Sequence, residues 1–149
     1  MATVRQSLRR RDAALGLAAG MVWLAHGPAA WAQDPPPLVP ERRWMDSAEL
    51  MLRLAQSWGD QPYGAVLVAN GALIGLGPSR VVQQSDPTAH AEREAIRDAQ
   101  RRLGRTRLDG SVLYATSRRC RLCEAAAAQA HVARMFVGQA MEDAGAPKP

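Results

Sequence analysis

Two short patterns constrain this chain more than anything else in its 149 residues. His90-Ala91-Glu92 sets an imidazole and a carboxylate two positions apart, and about thirty residues later Cys120-Arg121-Leu122-Cys123 carries the chain's two cysteines. A fold that unites the two patterns gathers one His, two Cys and a Glu. That set offers three ligands for a tetrahedral zinc ion, a fourth position open to water, and a carboxylate to move protons. Each pattern falls where a helix should start. Thr88 is a candidate N-cap for a helix over 89–103, and a second helix runs over 120–131. Free N–H groups and the helix dipole at such ends favour negative charge, which suits a thiolate. Cys120 and Cys123 share one face of a first turn. His90 and Glu92 would diverge in mid-helix, but first-turn side chains lean back toward the N-terminus and both can reach a site off that end.

The cysteine pair has other readings. A C-x-x-C after a strand in an oxidising compartment also fits a thiol redox pair, although that leaves residues 86–92 unexplained. A structural disulfide across so short a loop would staple little of the chain. His131 reads as a surface residue at a helix end.

Residues 1–32 have the form of an export signal. Arg5, Arg9, Arg10 and Arg11 are followed by an uncharged run from Ala13 to Ala25, and Ala30-Trp31-Ala32 offers a cleavage site before Gln33. The consecutive arginines suggest the twin-arginine route, which exports proteins already folded. The apolar run is shorter than the roughly 20 residues of a membrane span. An uncleaved anchor is the other reading; cleavage would leave a periplasmic or secreted protein with no stable membrane association. The signal holds four arginines and one aspartate, so three of the chain's net five positive charges leave with it. The remaining charge gives little attraction to a nucleic-acid backbone.

Pro35, Pro36, Pro37 and Pro40 mark 33–45 as an extended linker. Apolar residues at three- and four-residue steps predict a helix over 46–58, capped by Asp46 or Ser47. A buried strand over 63–68 follows, then the hairpin turn Asn70-Gly71 and a returning strand over 72–76. Strands over 111–116 and 132–137 flank the cysteine helix. The tail 139–149 has no periodicity and is expected to be flexible. Arg93, Arg97, Arg101 and Arg102 form a solvated helix face. The alternation predicts an α/β fold with helices covering a mixed sheet.

From about residue 46 to 138 the sequence resembles the zinc-dependent cytidine deaminase-like superfamily, whose signature is H-x-E followed by P-C-x-x-C. It is most similar to the guanine deaminase and tRNA adenosine deaminase branch. The residues that carry the resemblance are Asp86 to Glu92, Pro62 to Val68, Val112 to Thr116 and Phe136-Val137-Gly138. The resemblance implies a three-layer α-β-α fold, shortened at the C-terminus, with zinc on His90, Cys120 and Cys123. Glu92 would be the catalytic proton shuttle in hydrolytic deamination of a nucleobase or nucleoside, with purines favoured by the histidine ligand. Ala91, Ser79 and Arg119 are candidate substrate contacts, Ser79 standing where the family has an asparagine. Arg118-Arg119 replaces the family's Glu-Pro, which removes a preorganising proline and sets positive charge against a helix dipole. Those arginines either answer an anionic ligand or mark a deaminase fold reduced to a binding module. A homodimer is expected, with the small residues of 124–130 as its face.

Overall fold

The computed structural model describes residues 39–149. The expected signal (1–32) and linker residues 33–38 lie outside the described residues. Eight elements follow one another: α1 (Arg42–Ser57), β1 (Gly64–Ala69), β2 (Ala72–Pro78), α2 (Ala91–Leu103), β3 (Val112–Ala115), α3 (Arg121–Gln129), β4 (Arg134–Val137) and β5 (Glu142–Gly145). They form one five-stranded sheet in the order β2-β1-β3-β4-β5. The β3–β4 pair is parallel and the other pairs are antiparallel, so the sheet is mixed.

All six residues of β1 are buried, and alternate side chains serve two cores. Ala65 and Leu67 face Ala91, Ala95, Ile96 and Ala99 of α2 and Ala127 of α3. Val66 and Val68 face Trp44, Met45 and Ala48 of α1, together with Tyr114 and Phe136. The fold is therefore the expected three-layer α-β-α arrangement. Each fully buried Leu, Val or Phe contributes roughly 1.5–3 kcal/mol, and the Tyr114 and Phe136 rings add a tilted contact at 5.2 Å. The β1–β2 hairpin turns at Asn70 (φ 48°) and Gly71 (φ 69°), two left-handed residues that match the right-handed twist of the strands.

Three expectations need correction. The first helix begins at Arg42, inside the expected linker, and Asp46 is not a cap. The Asp46 carboxylate instead accepts a 2.7 Å bond from Arg42 one turn earlier, while Trp44 and Met45 extend the apolar stripe into the core. Thr88 does not cap α2; that position belongs to His90. The tail is not without structure, because Glu142–Gly145 pairs with β4 as β5. Its sequence lacks strand-forming residues, and only Ala144 is buried. Pairing and the Arg134–Asp143 ion pair hold it instead.

Candidate metal centre and cleft

The two halves of the site arrive by different local devices. Before α2, the chain is folded by Asp86, whose Oδ1 accepts both the backbone N–H (2.8 Å) and the hydroxyl (2.7 Å) of Thr88. Those two bonds hold the Asp86 carboxyl below its ordinary range. Thr88 is committed to this turn, so the extended His90 (φ −65°, ψ 152°) becomes the N-cap, with no side-chain bond to the helix. Its ring is left to meet the two cysteine sulfurs. On the other half, β3 ends at Ala115, and the N–H of the next residue, Thr116, donates to the Gly64 carbonyl (2.9 Å). The chain then passes Ser117, Arg118 and Arg119 to Cys120, the N-cap of α3, while Cys123 is fully buried in the first turn.

These devices bring His90, Cys120 and Cys123 together, with their ligand atoms within 4.8 Å of one another. His90 Nδ1 lies 3.4 Å from Cys123 Sγ and 3.6 Å from Cys120 Sγ. A tetrahedral zinc with Zn–S near 2.3 Å and Zn–N near 2.0 Å has an S···N edge of about 3.5 Å. The donor set fits zinc in chemistry and in spacing. Burial pushes the Cys123 thiol far above its ordinary range, and the neighbouring Glu92 and Cys120 push it further. A bound dication reverses that balance and holds the sulfur as thiolate.

Glu92, in the first turn of α2, is 2% exposed and accepts a hydrogen bond on Oε1 from the Ser117 hydroxyl. It opens with His90 and Cys120 onto a cleft of about 380 Å³, whose other walls are Gln61, Tyr63, Ala91, Thr116, Ser117 and Arg118. That volume suits a small organic ligand.

The candidate substrate contacts separate. Ala91 lines the cleft. Ser79 does not: it is fully buried and donates to Asp60 Oδ1 at 2.9 Å. Burial alone would raise the Asp60 carboxyl. Bonds from the N–H groups of Gln83 and Gln61, the Ser79 hydroxyl and the Val82 backbone outweigh it and lower the value. Ser79 and Asp60 thus anchor the loop after β2. Arg119 also lies outside the cleft, reaching Glu142 (3.5 Å) and the Asp143 carbonyl (3.4 Å). Arg118 takes the wall position instead. Gln61, Tyr63, Thr116 and Ser117 were not singled out from sequence. The available signal was their place, since Thr116 and Ser117 follow the end of β3, where α/β sheets commonly build sites.

The sequence model of the cytidine and deoxycytidylate deaminase zinc-binding region matches residues 39–139, most of the chain. The chain belongs to this deaminase family. His90, Cys120 and Cys123 stand within the matched region as a group that could hold the zinc. The chain is 36% identical over 100 residues to a tRNA-specific adenosine deaminase of Buchnera aphidicola, covering 67% of this chain and 66% of that one. Two solved structures share the fold at a TM-score of 0.63. One is a tRNA:A34 deaminase that edits A to I, 38% identical, covering 66% of this chain and 71% of the other. The second is guanine deaminase from Bacillus subtilis, 34% identical, covering 67% and 64%. The chain spans 60% to 66% of the length of three curated adenosine deaminases that it matches.

Proposed function

We propose that this protein is an exported, zinc-dependent hydrolase that deaminates a nucleobase or nucleoside, with purines such as guanine and adenosine favoured. The observation that carries the reading is the meeting of His90, Cys120 and Cys123 with the buried Glu92 at one wall of a ligand-sized cleft. Zinc, when bound on such a set, supplies a water that ionises near neutral pH. Glu92 accepts the proton, passes it to a ring nitrogen, and moves a second proton to the departing amine. Water replaces the amine at the ring carbon, and ammonia leaves. Ala91 and Tyr63 bound the space for the ring, and Tyr63 offers an aromatic face. Similarity to adenosine and guanine deaminases supports a purine.

Export rests on residues 1–32, and mature protein beginning at Gln33 in a periplasmic fraction is its test. A homodimer belongs to the same reading. The face expected for it is partly used within the chain, since Ala127 and Ala130 pack in the core. What remains of it is Ala125 and Ala128, and Leu122, which lies before the expected face and is 59% exposed, extends them at helical spacing on α3.

The deciding experiment measures ammonia release by zinc-loaded protein across a panel of purine and pyrimidine bases and nucleosides. Release from at least one purine, with about one zinc per chain, supports the reading. Silence across the panel with zinc bound removes it and favours the inactive binding module.

A further inference from the structure

The hydrogen bond from Ser117 to Glu92 joins the two halves of the centre. Glu92 belongs to the helix that His90 caps, and Ser117 to the loop that delivers Cys120. The Ser117 backbone is held from both sides. Its carbonyl accepts the Gly138 N–H at 2.8 Å, which ties it to the end of β4. The preceding Thr116 is tied to β1: its N–H donates to the Gly64 carbonyl (2.9 Å), and its Oγ1 accepts the Gly64 N–H (3.0 Å). A donor fixed this firmly needs no reorganisation when it is used.

The acceptor needs such a donor. Glu92 has a long side chain with several rotamers, yet its proton transfers require one orientation. The Ser117 hydroxyl donates to this carboxylate and supplies that constraint. With Oε1 engaged, the plane of the carboxylate is set and Oε2 is the oxygen left to exchange protons.

We infer that Ser117 is a positioning residue for Glu92, orienting the carboxylate rather than binding substrate. The inference rests on the deaminase reading and adds a residue to it. The test compares zinc-loaded Ser117→Ala and Ser117→Thr with the unaltered protein on the best substrate of the panel. In Ser117→Ala, kcat falls about tenfold to a hundredfold while KM stays within about twofold. Ser117→Thr, which keeps the hydroxyl, restores most of kcat, and zinc content is the same in all three. A raised KM with kcat preserved makes Ser117 a substrate contact and overturns the inference, as does an unchanged kcat. A thermal-unfolding cycle of Ser117→Ala, Glu92→Gln and the double variant reads the contact without turnover. The expected result is clear non-additivity, whereas additive shifts mean the bond is absent and also overturn the inference. If the unaltered protein deaminates nothing, the deaminase reading falls and the proton-transfer role falls with it, while the cycle still decides the contact.

Discussion

Gly77 lies so close to Ala91 that a β-carbon on it would stand 2.0 Å from the Ala91 carbonyl oxygen. Ala91 follows His90, so this approach of β2 to α2 also fixes one edge of the metal centre. Gly77→Ala must push α2 off the sheet, because the obstructing atom is backbone. The expected loss is roughly 1–3 kcal/mol or more in denaturant unfolding, together with weaker zinc binding. Stability lost with zinc affinity intact would separate the helix packing from the site.

Glu92→Gln keeps size and burial and removes the proton acceptor. Zinc content should be unchanged, and turnover should fall about 10²- to 10⁴-fold. Activity within about tenfold of the original would assign the proton transfers elsewhere.

Removing the metal should be felt by the whole domain, since α2 and α3 meet there. Chelation is expected to lower the melting temperature, and added zinc to restore it. His90→Ala and Cys123→Ser should each weaken zinc binding by more than the roughly 10- to 100-fold typical of groups outside the ligand set. Competition against a chromophoric chelator measures it.

Arg118 and Arg119 are neighbours with different tasks. Arg118→Ala, on the cleft wall, should change KM by about tenfold. Arg119→Ala should leave KM alone. The latter loses a pair in which both side chains are substantially exposed, 45% and 68%, worth about 0–1 kcal/mol. Steady-state kinetics beside a melting curve tell the two apart.

Asp60 gives the fold an acid limit. Its carboxyl is lowered from the ordinary 3.8, so its contribution is present above the unfolded value and lost as pH falls through the folded one. Urea midpoints of the wild type and Asp60→Asn should differ by a steady amount from pH 6 down to about pH 4 and draw together as pH falls further, through the folded value. A gap that stays constant as pH falls below about 4 would mean the carboxylate charge contributes nothing.

The sheet and its helices were legible because burial leaves a continuous apolar run in a strand covered on both faces, as in 63–68, and a period-3.6 pattern in a helix, as in 89–103. The meeting of His90 with the cysteines could be anticipated from ligand chemistry. What stayed hidden depended on contacts distant in sequence. β5 has no apolar alternation and exists through its partner β4. Ser79 looked like a pocket residue until Asp60 claimed its hydroxyl. Two adjacent arginines carry no mark of which one turns inward, and the loop geometry decides it. Ser117 was invisible as a partner of Glu92, 25 positions earlier, since a lone serine has no spacing to betray it.

His90 and Cys120 both stand at N-cap positions, where Ser, Thr, Asp or Asn would tie up a first-turn amide, and neither makes that bond. By contrast, α2 closes at Gly104, a left-handed cap whose N–H returns to the Gln100 carbonyl. With no side-chain cap at either start, an ion held by both N-cap residues would fasten the two helices together. Amide hydrogens at 91–93 and 121–123 should exchange with solvent together, quickly without zinc and slowly with it, so that metal occupancy is written into the order of two helix starts.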